Sequence, residues 1–144
     1  MPNVRTTADP PASPGEELCD AVRADDVGRV RQLLAAGYDP NAPDLRLGAD
    51  GAHSLVDAAN GGHCELIAIL LAAGASVNRR TASGWTALMR ACNAGHVAAA
   101  RMLIDAGADV KARNDEGYTA WGRTPGPCHE LATLLADLGG DEPR

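Results

Sequence analysis

The residues of this chain that could carry chemistry are few and fall in small groups. His63-Cys64 and Cys128-His129 are adjacent pairs of metal-type ligands, and Cys92 lies four residues before His96. Zinc takes such side chains, but a site needs four of them converging on one point. His53 and Asp57, four apart, could share one helix face, and that spacing alone more often marks a surface or capping feature than an acid–base pair. There is no HExxH, no nucleophile elbow and no phosphate-cradling GxxxxGK. A Cys/His metal-binding or enzymatic role stays open as an alternative. The expectation from these residues is a non-enzyme with no catalytic residues, no metal and no cofactor.

The elements that would have to position these groups are built from small side chains. The chain has 144 residues, about one domain's worth. Its apolar fraction is 45% and its charged fraction 22%, ordinary values for a soluble protein. Aromatics make up only 3%, and Phe is absent. The core must therefore come from Ala, Leu, Ile and Val, which lets helices approach closely and suits a stacked helical array.

Charge bounds the partners. The net charge of −6 lacks the basic footprint that general nucleic-acid binding needs. It is unevenly spread: residues 1–60 sum to −5, residues 61–113 to +3 and residues 114–144 to −4. No apolar run is long enough to span a membrane, and residues 1–15 lack the apolar stretch of a signal peptide. A cytoplasmic location is expected, with Cys19, Cys64, Cys92 and Cys128 reduced. Lys111 is the only Lys against twelve Arg, and with so much Ala and Gly this points to a GC-rich, bacterial genome.

A repeat organises the chain. Gly51, Gly84 and Gly117 are spaced by 33, as are His63, His96 and His129, and Gly74 and Gly107. Leu55, Ala58 and Ala59 have the spacing of one helix face; moving on 33 residues gives Leu88, Ala91 and Cys92, and moving back 37 gives Leu18, Ala21 and Val22. A second helix carries Ile67, Leu70 and Leu71, echoed by Ala100, Leu103 and Ile104 and by Val30, Leu33 and Leu34. Each unit reads as helix, short break, helix, then a stopping Gly at Gly37, Gly74 or Gly107.

Ser83-Gly84-Trp85-Thr86-Ala87-Leu88, followed by Ala91-Cys92-Asn93-Ala94-Gly95-His96, resembles the ankyrin motif G-x-T-P-L-H-x-A-A-x-x-G-H. Leu103-Ile104-Asp105-Ala106-Gly107-Ala108-Asp109-Val110 is similar to its L-L-x-x-G-A-D-V ending. The resemblance covers residues 16–140. It implies an all-α ankyrin-repeat solenoid of four helix-turn-helix units joined by short hairpin loops. The units are about 16–47, 48–80, 81–113 and 114–140, with divergent caps at both ends. Residues 1–15 are expected as a disordered Pro-rich tail and residues 141–144 as a second tail.

The departures from the motif are local. Its Pro is replaced by Ser54, Ala87 and Ala120, and its following His by Val56, Met89 and Gly122. Pro125 and Pro127 should end the first helix of the last unit early. Gly37 to Gly74 is 37 residues, so four are inserted. The segment Asn41–Asp50 is expected as an enlarged hairpin or loop, with Leu45 and Leu47 packing back.

The resemblance also implies a function. Ankyrin-like arrays bind proteins in a concave groove made by hairpin tips and the inner face of the first helices. It likewise implies a structural hydrogen-bonding role for the repeated His. Carried onto this chain, the residues after the turn glycines are Ala52, Trp85 and Tyr118. Exposed Trp and Tyr beside Arg dominate many interfaces; the other reading is that Trp85 folds over its own hairpin as packing. The candidate partner-binding residues are Trp85, Tyr118, Arg80, Arg113, Arg90, Asn93, Ser83, Asp115, Glu116 and Asn60. The expected partner is a protein with an acidic patch facing the +3 segment, bound by a monomer. An inhibitor or immunity protein for a bacterial enzyme is the alternative of the same class.

Overall fold

The computed structural model describes residues 13–46, 50–120 and 133. Six α-helices form three pairs: α1 (Pro14–Arg23) with α2 (Val27–Ala35), α3 (Ser54–Gly61) with α4 (Cys64–Ala72), and α5 (Ala87–Ala94) with α6 (Val97–Asp105). There is no strand among the described residues. The first helices pack side by side, α3 touching both α1 and α5. The second helices form a parallel layer, α4 touching α2 and α6. Of the fourth unit, the hairpin up to Ala120 is described; Pro125, Pro127 and Gly139 lie outside the described residues, as does Leu47.

The helix starts follow local chemistry. Ser13 and Glu16 form a reciprocal capping box, with the Ser13 hydroxyl accepting from Glu16 N and the Glu16 carboxylate accepting from Ser13 N at 3.1 Å. Pro14 fits the first turn, where its missing N–H costs no bond. The helix thus begins inside the segment expected as tail, because the cap lies at Ser13 and not beyond residue 15. In unit three the Thr86 hydroxyl accepts from Met89 N at 3.2 Å and caps α5. Each second helix ends before a glycine at positive φ: Gly37 at 94°, Gly74 at 97° and Gly107 at 96°.

The periodic apolar positions fill the core. Leu18, Val22, Leu55, Ala58, Ala59, Leu88, Ala91 and Cys92 are buried on the first helices, and Val30, Leu33, Ile67, Leu70, Ala100 and Leu103 on the second. Ala at the helix contacts keeps the layers close, which is how a chain without Phe closes its core. Leu45 does not pack back: it is 75% exposed. The anchor of that hairpin is its neighbour, Asp44, which is fully buried and bonds across to Ala52 through its N–H at 2.7 Å.

Hydrogen bonds between units set the spacing of the stack. Asn41 donates to Gly74 O at 3.1 Å and accepts from Ser76 N at 2.7 Å. Asn78 repeats the clamp one unit on, donating to Gly107 O at 3.2 Å and accepting from Asp109 N at 2.7 Å. Lys111 holds the corresponding position in the next unit. It has no acceptor atom in its side chain, so it cannot take the backbone N–H that Asn takes.

Candidate partner-binding groove

The face built by the first helices carries two rows of polar residues at the repeat spacing. Asp20, Asp57 and Arg90 form one row, and Arg23, Asn60 and Asn93 the other. Arg23, Asn60 and Asn93 are exposed; Asp57 and Arg90 are half-buried. The first row changes from acid to base along the stack.

At the start of the stack the charges satisfy one another. Asp44 accepts from Arg46 Nη2 at 2.6 Å, from Arg46 Nε at 2.9 Å and from Arg23 Nη1 at 2.9 Å. Arg46 also grips Asp20 of α1 with both terminal nitrogens, at 3.0 and 2.7 Å. Arg23 approaches Asp57 Oδ2 at 3.1 Å, without the alignment of a hydrogen bond. The bonds from Arg46, above all, hold the Asp44 carboxyl down to about 2. Burial raises Asp57 above the usual carboxylate range against the pull of Arg23. Burial first, then Asp57, pushes the Cys19 thiol well above the thiol range. Cys19 is therefore a protonated core residue whose S–H points at Ala52 O, at 3.7 Å. Backbone closeness seals this corner: a Cβ on Gly15 would run into the Pro43 carbonyl.

Further along, the hairpin tips are chained by backbone and hydroxyl bonds. Ser83 donates its hydroxyl to Asp50 Oδ1 at 2.8 Å, and its carbonyl accepts from Asp115 N at 3.0 Å. Thr81 donates to Asp50 Oδ2 at 2.8 Å and accepts from Trp85 N at 3.1 Å. The exposed Ser83 and Asp115 thus link one tip to the next. Glu116 is exposed, and its N–H is held by Asn114 Oδ1 at 3.0 Å. Arg80 is exposed on the approach to the tip, and Arg113 is exposed with its guanidinium on Gly117 O at 2.8 Å.

Trp85 and Tyr118 share a repeat position but not an environment. Tyr118 is 40% exposed, whereas Trp85 is 7% exposed and belongs to the core cluster. The expectation of an exposed indole at this tip is corrected. The ring packs inward and the Arg90 guanidinium lies over it, 4.1 Å from its centroid. The group that the third unit turns to the groove there is Arg90, resting on Trp85.

The Cys and His residues do not converge. Among the described residues no three His, Cys, Asp or Glu side chains could hold one metal ion. The His96 ring bonds to Asn60 O at 3.1 Å and packs on Gly62, where a Cβ would collide with it. His63 Nδ1 faces Asp25 at 3.5 Å. Cys64 is half-buried, Cys92 is buried, and Cys128 and His129 lie outside the described residues. His53 precedes α3 as its N-cap residue and Asp57 lies in its first turn, but Asp57 turns to Arg23 and His53 is enclosed without a hydrogen-bond partner. The residues that sequence reasoning missed are Asp44 and Arg46. Their only signal was the 37-residue spacing, which marked an insertion without saying what it would grip.

A family model for ankyrin repeats, in three copies, matches residues 18–114. No curated protein matches the sequence.

Proposed function

The chain belongs to the ankyrin-repeat family, and we propose that it binds an acidic patch of a partner protein on the groove of units two to four. Ankyrin repeats are generally protein–protein interaction modules and typically not enzymes. Among the described residues no helix is long and apolar enough to cross a membrane. The observation that carries the reading is the change of charge along the first helices. Asp20, Asp44 and Asp57 are already engaged by Arg23 and Arg46. Beyond them the face turns basic, with Arg79, Arg80, Lys111 and Arg113 exposed and Arg90 laid on the indole.

A guanidinium recognises a carboxylate through paired, charge-assisted hydrogen bonds. Arg90 needs little ordering to do so, because the ring beneath fixes it, and preorganisation is where a rigid array gains affinity. Asn60, Asn93, Ser83, Asp115, Glu116 and Tyr118 complete the proposed contact face. The protein acts in this reading as a cytoplasmic monomer without a nucleic-acid ligand.

The test is a pull-down from the native organism with mass spectrometry, followed by titration of the partner found. Arg80→Ala should weaken binding by about 1 kcal/mol or more, with melting unchanged. The loss should shrink at high salt, because exposed charges are screened. Full binding by Arg80→Ala and Arg90→Ala alike would place the interface elsewhere.

A further inference from the structure

His53 sits at the start of α3, where the hairpin of unit two meets that of unit three. It is fully buried, and neither ring nitrogen has a hydrogen-bond partner. The equivalent residue one unit on is Thr86, which caps its helix. His53 makes no such bond, so α3 begins without a side-chain cap. A buried polar group without a partner is costly, and a buried charge without one is far more so. Burial, and then the charge of Arg79, hold the ring neutral down to about 4.

No carboxylate around the ring is available to receive a proton-bearing imidazole. On α3, the helix start presents the positive end of its dipole, and Asp57 faces Arg23. In the hairpin before it, Asp44 is held by Arg23 and Arg46 and Asp50 by Thr81 and Ser83. In the hairpin after it, the charged groups are Arg79 and Arg80. Of the neighbouring first helices, α5 brings Arg90, while on α1 Asp20 is gripped by Arg46, Glu16 by the capping box and Glu17 by Tyr38.

We propose that His53 is an acid-sensitive latch between units two and three: protonation drives the ring out to water, and the hairpin tip over α3 opens with it. The sign follows from proton uptake. The folded site refuses the proton down to about 4, while a released ring takes it near the ordinary 6.5. Opening is therefore favoured as pH falls below about 6.5, and the effect stops growing near 4. Loosening these tips would also release a partner from the groove. That consequence rests on the proposed function, whereas the latch itself does not.

The experiment is amide exchange at Thr81 and Ala82, whose N–H groups bond to Trp85 O and Asp50 O. Rates are corrected for the intrinsic pH dependence and referred to the Leu103 amide of α6. From pH about 7 to about 5 the opening constant should rise about twentyfold, the ratio set by 6.5 in the released ring against about 4 in the latch. His53→Thr supplies the hydroxyl cap of unit three and should remove the rise; His53→Asn serves if the Thr variant does not fold. An equal rise in these variants overturns the latch, as does a His53 ring that titrates near 6.5 in the folded protein by NMR. Neither readout involves a partner, so the latch can fail while the binding proposal stands.

Discussion

The junction between units one and two and the junction between units two and three use the same helix packing but different polar chemistry. The first is ionic. Arg23 of α1 reaches across to Asp57 of α3 at 3.1 Å, and Arg46, in the segment enlarged by four residues, ties the hairpin between them to α1 through Asp44 and Asp20. The second is short-range: the Asp50 carboxylate is met by the Thr81 and Ser83 hydroxyls and the Ser83 N–H, and its backbone carbonyl by the Ala82 N–H. The difference teaches where binding capacity resides. Charges satisfied inside the fold have little left for a partner. In the later units Arg79, Arg80, Lys111 and Arg113 lie exposed.

The largest expected effect concerns Trp85, which joins the core of the second junction. Trp85→Ala should cost about 3 kcal/mol in chemical denaturation, the loss typical of a buried aromatic. A variant with unchanged stability but weakened binding would restore the exposed-indole reading and erase the contrast with Tyr118.

Asp44 comes next and probes the ionic junction. Asp44→Asn should cost about 2 kcal/mol near neutral pH, since it removes a buried carboxylate with several charge-assisted bonds. The pH dependence has a definite sign. The folded carboxyl titrates at about 2 against an ordinary 3.8. Its stabilisation is therefore present above about pH 4 and disappears as pH falls toward 2. Denaturation midpoints of wild type and Asp44→Asn should converge across that window. Parallel curves down to about pH 2 would mean that Arg46 does not hold Asp44.

Asn78→Ala tests the clamp between the second and third units. It should cost about 1 kcal/mol, two exposed backbone bonds being worth little more. The smallest effect belongs to Lys111→Ala, within about 0.5 kcal/mol because that exposed position makes no side-chain clamp. Equal losses at the two sites would show that the clamp contributes nothing to the stack.

Much of the fold was legible in the sequence because a repeat states the same packing problem several times. Leu18, Leu55 and Leu88 recur in register and are all buried. The turn glycines were legible for the same reason. Trp85 was not, since its matching positions hold Ala52 and Tyr118, and neither says which way a large ring will turn. The burial of His53 was equally hidden. Its place in the motif is that of a small capping residue, and whether an imidazole there lies inside or outside depends on the neighbouring hairpin. Arg46 and Asp44 belong to an insertion, where periodicity has nothing to compare. The Asn41–Asn78–Lys111 series was visible at the repeat spacing, but its meaning needed the backbone of the following unit.

That series has a mechanical consequence. Pulled by its two ends, the array carries its load through the links between units. Each Asn acts as a stitch across one seam, Asn41 between units one and two and Asn78 between units two and three. Of the two seams formed by the described residues, the one between units two and three should part at the lower force, because the one between units one and two adds the Arg23–Asp57 pair beside the ionic knot at Asp44.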